Sequence, residues 1–220
     1  MNSGSENEKP GRKEREFQLR RSEIMVAAMR LFASKGFHST TMSEIAKEAE
    51  FSTGSLYNFF KSKEELYFTL LREKIEQIEG LVRRQRDQAQ GPRKKLEAVV
   101  DTLIEYFEEN RYFFQIFATY QEHFEWPMKG ELAEAVRKKY LIFIAELVEV
   151  FKEGIAQGQF KKYEPEELAL CFVGIMNSFI FLWIETDPKV RLREKKPVIL
   201  DIFYRGTEQV GQQSKKEGET

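Results

Sequence analysis

Between Pro10 and Pro92 the chain contains no proline, and the other four of its six prolines stand singly across the second half. An all-β fold needs turn punctuation roughly every 8–12 residues. This stretch has little of it, so an all-β architecture is excluded. With 41% apolar and 32% charged side chains, the composition suits long helices that each bury one face.

Apolar periodicity places those helices. From about Arg20, the residues Ile24, Ala27, Ala28, Leu31 and Phe32 follow the i, i+3, i+4, i+7, i+8 stripe, and Lys35 with Gly36 supplies a C-terminal stop. Thr41 through Glu44 has the spacing of a capping box, and Ile45, Ala46 and Ala49 give the short helix behind it one apolar face. Ser52 caps a third short helix in which Leu56 and Phe60 share a side, while Thr53, Ser55 and Asn58 turn elsewhere. Ser62 through Glu65 is a second box. It opens a long helix whose stripe of Tyr67, Leu71, Ile75, Ile78 and Val82 runs to the charged segment 83–87. Proline begins or ends helices and rarely sits inside them. Pro92, Pro127, Pro165, Pro188 and Pro197 therefore cut the remainder into helical segments near 93–109, 111–123, 129–157, 166–186 and 196–209. The expected fold is all-α, with about nine helices.

Several function classes fall away on counts alone. The two histidines, His38 and His123, lie far apart, so neither a HExxH helix nor a His/Cys zinc cluster can be drawn, and no metal or cofactor is expected. Cys171 is the single cysteine, which excludes an intramolecular disulfide and fits a reducing compartment. No nucleophile–base pair is apparent and no phosphate-cradling glycine motif occurs, so no enzyme is expected. The polar opening MNSGSENEKPGRK is not a secretory signal, and the protein is expected in the cytoplasm. Leu168 to Ile184 is apolar nearly all round but spans only about 25 Å as a helix, short of a hydrocarbon layer of roughly 30 Å. A buried helix covered by a second copy of the chain is the expected reading, not a membrane span.

The net charge of −1 points to no charged partner, but residues 9–62 hold ten Lys/Arg against six Asp/Glu. A modest positive end of this kind can meet phosphates. Two short helices joined by a three- or four-residue turn, the second small and polar-faced, is the helix-turn-helix pattern. Thr53, Gly54, Ser55, Tyr57 and Asn58 are small or hydrogen-bonding side chains of the kind a major groove about 12 Å wide admits. Thr40, Lys61 and Lys63 flank them as candidate phosphate contacts. Basic residues ahead of helix 1 (Arg12, Lys13, Arg15, Arg20, Arg21) are further candidates, diluted by Glu14, Glu16 and Glu23. The bland alternative is a capped helical hairpin in which Thr and Ser are only caps.

The run AMRLFASKGFHSTTMSEIAKEAEFSTGSLYNFFKSKEELYFTLL resembles the N-terminal domain of the TetR/AcrR family of transcriptional repressors. The matching features are the helix ending at LFASKGF, the TT before the second helix, the IA pair, and STGSLYNFFKSKEEL. The resemblance implies DNA contacts at or near Thr40, Thr41, Ser52, Thr53, Gly54, Ser55, Tyr57, Asn58, Lys61 and Lys63. Two positions depart from the pattern: Glu50 stands where the turn often has Gly, and Phe59 where His is common. The implied organisation is an arm over 1–19, a helix-turn-helix domain over 20–62, a connecting helix over 63–92, an effector-binding and dimerisation domain over 93–210, and a tail over 211–220.

In the C-terminal half, aromatic residues crowd 106–126. Such a stripe ordinarily forms core, yet ligand pockets between helices are also aromatic-lined. The resemblance implies an effector cavity there, with Phe107, Phe113, Phe117, Tyr120, Trp126, Phe143 and Asn177 as candidate contacts. It also implies that the last two helices pair with their copies, which makes Phe172, Ile175, Phe179, Trp183 and Ile202 candidate dimer contacts. The expected function is that of a homodimeric repressor that binds a palindromic operator in double-stranded DNA. A small hydrophobic or amphipathic effector, a long acyl chain being one such molecule, would release it. The alternative is a DNA-binding adaptor or architectural protein without a small-molecule effector.

Overall fold

The computed structural model describes residues 11–121, 131–186 and 189–208. Among the described residues nine α-helices follow one another: α1 (Arg12–Ser39), α2 (Met42–Glu48), α3 (Thr53–Tyr57), α4 (Lys63–Gln88), α5 (Pro92–Glu109), α6 (Arg111–Gln121), α7 (Glu131–Ala156), α8 (Pro165–Ile184) and α9 (Lys196–Thr207). A 3₁₀ turn, Leu192–Lys195, precedes α9. The fold is all-α among the described residues, as expected. Pro92, Pro165 and Pro197 each occupy the first positions of a helix, where the missing N–H has no partner to lose.

The start of α1 differs from expectation. The helix begins at Arg12 and not near Arg20, so 12–19 are helical and not an arm. The reason is a ring contact that composition hides: Phe17 stacks on Phe59 with centroids 4.7 Å apart. Packing against a neighbouring element extends a helix that propensity alone would let fray. Gly36, at φ 79°, kinks the chain at the expected stop, and a last turn carries on to Ser39. Segments 1–10 and 209–220, including the tail expected over 211–220, lie outside the described residues.

The core is continuous but has two centres. Ile24, Ala28, Phe32, Ile45, Leu56 and Leu66 close the N-terminal helices around one of them. The other is aromatic: the Phe151 ring lies 5.6 Å from both Phe160 and Phe203, and Phe172 lies 5.0 Å from Phe203. Helix α4 runs on from the N-terminal helices, with Leu66, Leu70 and Leu71 buried in its first half and Val82 buried further along.

Helix α8 is long and apolar enough to cross a membrane by length and composition. Its inner face (Leu168, Phe172, Met176, Ile180, Trp183) is buried within the protomer. This corrects two expectations. Phe172 and Trp183, expected as dimer contacts, are buried inside the protomer: Phe172 belongs to the aromatic core, and Trp183 donates its indole N–H to the Val190 carbonyl at 2.8 Å. The Arg111 guanidinium lies 4.3 Å from the Trp183 ring and donates to the carbonyls of Trp183, Ile184 and Thr186, clipping the end of α8 to the start of α6.

Two glycines give an opposed pair of predictions. A Cβ at Gly154 would stand 2.2 Å from the Phe160 ring, whereas one at Gly80, in the middle of α4, meets nothing within 4 Å. Gly154→Ala is expected to destabilise the protein by about 1–3 kcal/mol through overpacking. Gly80→Ala is expected to stabilise it by about 1 kcal/mol through helix propensity. Urea titration of the full chain reads both, and equal effects would contradict the packing described.

Candidate nucleic-acid interface and ligand cleft

Local hydrogen bonding sets the geometry of the first three helices. Thr41 caps α2: its hydroxyl oxygen accepts from Glu44 N, and its own N–H donates to Glu44 Oε2 at 2.9 Å. Lys35 Nζ reaches the same carboxylate at 2.7 Å. That lysine contact and the Thr41 N–H together hold the Glu44 carboxyl down at about 2. At its far end α2 closes in a Schellman motif, with Phe51 N donating to Ala46 O and Glu50 N to Lys47 O. That motif needs positive φ at its penultimate position, and Glu50 takes it at φ 61°. At the end of α7 the same motif uses Gly158, at φ 70°. The unusual Glu50 is thus a strained occupant of a glycine position. It borders a groove against α1 that includes Glu23 and Arg30.

Ser52 then caps α3. It accepts from Ser55 N at 3.1 Å, and the two hydroxyls are 2.7 Å apart. Leu56 is fully buried and Phe60 nearly so, which fixes the rotation of this short helix. Thr53, Gly54, Tyr57 and Asn58 are left exposed, with Ser55 half-buried beside them. A protruding face of hydroxyl, amide and phenol groups with a bare glycine backbone suits hydrogen bonding to base edges and phosphates.

Two expected phosphate contacts are placed elsewhere. Thr40 is fully buried, and its hydroxyl donates to the Gly36 carbonyl at 2.8 Å. Lys63 turns inward. Its ammonium donates to the carbonyls of Phe37 and Thr40, both at 2.8 Å, and lies 4.4 Å from the Phe37 ring centroid. Both residues shape the scaffold, because the C-terminal carbonyls of α1 need donors. Lys61, by contrast, is exposed. Its N–H, and not that of Ser62, is the donor to Glu65, so the second capping box is shifted by one residue. Phe59 packs on Phe17 and sets its ring edge-on to Phe51, an apolar role where a histidine would be polar.

A cleft of about 150 Å³ opens between α4, α5, α6 and α7. Of the candidate effector contacts, Phe107, Phe113 and Phe143 line it, with Phe114, Ile75 and Ile78. Asn177 does not; it is half-buried on α8. The side chains of Phe117 and Tyr120, and the whole of Trp126, lie outside the described residues. Sequence reasoning missed the wall that α4 supplies, although the stripe carrying Ile75, Ile78 and Val82 was visible. It also missed the ion pairs at the rim, Lys139 with Glu79 at 2.7 Å and Arg83 with Glu146 at 2.8 Å. Among the described residues no group of three or more His, Cys, Asp or Glu could hold a metal ion.

The fold and the protruding α3 face define a helix-turn-helix DNA-binding protein with a second helical domain. Residues 24–70 match the bacterial regulatory proteins of the tetR family, and 89–207 match the tetracyclin repressor-like C-terminal domain. A similar protein is the transcriptional repressor KstR2 of Rhodococcus jostii, 30% identical over 162 residues that cover 70% of this chain and 74% of that one. Among solved structures, the ketosteroid regulator KstR2 of Mycobacterium tuberculosis superposes with a TM-score of 0.74 at 22% identity, covering 87% of this chain and 96% of that chain. FadR of Bacillus subtilis, solved in complex with stearoyl-CoA, gives 0.69 at 21% identity, covering 84% and 98%. The chain belongs to the TetR family of transcriptional regulators, DNA-binding proteins that are not enzymes.

Glu50→Gly removes the left-handed strain and is expected to raise stability by about 1 kcal/mol, read by chemical denaturation; an unchanged or lower midpoint would refute the strain. The Glu44 carboxyl titrates below its unfolded value, so its contribution is full above pH 4.5 and is lost as pH falls toward 2. Carboxylate NMR shifts should therefore show Glu44 still ionised at pH 3.5, when ordinary glutamates are largely protonated.

Proposed function

We propose that the protein is a homodimeric, ligand-responsive transcriptional repressor that reads a palindromic operator through α3 and releases it when a small hydrophobic or amphipathic molecule occupies the α4–α7 cleft. The observation that carries this reading is that one helix serves both sites. The N-terminal turn of α4 holds the C-terminal end of α1 through Lys63, and its middle forms a wall of the cleft. A ligand that favours a different α4 position alters the placement of α3. It shifts the equilibrium only by its differential affinity for the two forms, typically about 1–3 kcal/mol. The DNA contacts in this reading are Thr41, Ser52, Thr53, Gly54, Ser55, Tyr57, Asn58 and Lys61.

A dimer is supported by the outer face of α8 and α9. Leu170, Leu182, Val198 and Ile202 are about half exposed or more, and Ile175 and Phe179 are half-buried beside them. Apolar surface of this kind on two adjacent helices suits an isologous contact between copies. Two reading helices then stand about 34–36 Å apart, one turn of DNA. An acyl chain is a fitting effector, because the cleft is mainly hydrocarbon and FadR was solved with stearoyl-CoA. A regulator of this kind works in the cytoplasm, where the DNA is. The adaptor alternative fits less well, since it needs a solid interior where this cleft opens.

Gel-shift titration on the chain's own promoter region tests the reading. Tyr57→Ala and Asn58→Ala are each expected to weaken binding roughly tenfold or more, and Leu182→Arg to yield monomers in sedimentation velocity that no longer bind. Full binding by all three would overturn it.

A further inference from the structure

The rim of the cleft carries a charge arrangement that the reading above leaves unused. Glu146 on α7 accepts three N–H bonds from α4: Arg83 Nε at 3.0 Å and Nη2 at 2.8 Å reach Oε1, and Arg86 Nη1 at 2.6 Å reaches Oε2. The two arginines differ in setting. The Arg86 side chain is 11% exposed and also donates to Asp87, whereas that of Arg83 is 52% exposed at the edge of the apolar wall. On the other side, Lys139 pairs with Glu79, which has no second cationic partner among the described residues.

These pairs are unequal in what they can give up. Drawing Lys139 away would strand the Glu79 carboxylate, three-quarters withdrawn from water, and an uncompensated charge in such a place is costly. Drawing Arg83 away strands nothing, because Arg86 still neutralises Glu146. Below Arg83 the wall is hydrocarbon, from Ile78, Phe107, Phe114 and Phe143. We infer that Arg83 is the receptor for the anionic head of a chain-bearing amphiphile. The planar guanidinium fork leaves Glu146 for the ligand's carboxylate or phosphate, to which it is equally matched. A cationic head finds no such place, since both rim carboxylates already have partners. The exchange removes one of the ties between α4 and α7, so the head group adds to the effect of the chain. This inference rests on the cleft being the effector site.

Isothermal titration of the full-length protein with dodecanoate, dodecanoyl-CoA and 1-dodecanol tests it, the three probes sharing a chain and differing in head. Arg83→Gln is expected to weaken at least one anionic probe about tenfold or more and to leave 1-dodecanol unchanged. Glu146→Gln, which frees Arg83, is expected to strengthen binding of the same anion several-fold. A loss confined to dodecanoate assigns a carboxylate head, and one confined to dodecanoyl-CoA assigns a phosphate. If the wild type binds the alcohol as well as both anions, or if Arg83→Gln weakens all three alike, the head subsite is refuted while the cleft reading survives. If none of the probes binds, both are refuted. A thermal melt of each variant, expected within a few degrees of wild type, separates these outcomes from misfolding.

Discussion

The ammonium of Lys63 donates to the carbonyls of Phe37 and Thr40 at the C-terminal end of α1, and so binds the start of α4 to the end of α1. With Thr40 buried beneath it, this junction leaves the N-terminal helices little freedom to rotate against α4. Tyr67 and Phe32 meet edge to face at 5.1 Å directly below, so ring packing reinforces the polar tie. Helix α3, with five residues, has no stability of its own. It holds its orientation only because Leu56 and Phe60 are clamped by this surrounding frame.

The same helix then passes into a different environment. Past its second turn α4 is tied to α5 by the Tyr106 hydroxyl, which donates to the Lys74 carbonyl at 2.8 Å, and by Lys74 Nζ, which donates to Asn110 Oδ1 at 2.7 Å. Burial lowers the basicity of the Lys74 ammonium and raises the Tyr106 hydroxyl well above its ordinary value, so both groups are withdrawn from water at this point. Beyond them, α4 meets α7 through ion pairs over a hydrocarbon cleft and not through close-packed core. Helix α4 is thus held by hydrogen bonds and packed rings at its junction with α1, and by ion pairs at the rim of the cleft.

Much of this was legible in the residues. The apolar stripes of α1 and α4, the Ser/Thr caps before α2, α3 and α4, and the prolines opening α5, α8 and α9 all depend on near neighbours in the chain. The exposed α3 face was readable for the same reason, since Leu56 and Phe60 lie four apart and leave the other side free. The departures at Glu50 and Phe59 could be seen as departures but not interpreted. Whether Glu50 is strained depends on the backbone angle the turn imposes, and Phe59 acquires its role only from Phe17, which is distant in the chain.

The sequence by itself determined which segments are helical, where they start and stop apart from the beginning of α1, and that one short helix would present polar groups outward, because caps, stripes and prolines act over three or four residues. Only the tertiary structure decided which apolar face meets which. Phe172 and Trp183 became core while Leu182 and Ile202 stayed exposed, Lys63 turned from phosphate to carbonyl, and α4 became a wall of the cleft. Periodicity states that a face is to be buried but is silent about what covers it. That choice is made by shape and charge among elements far apart in the chain.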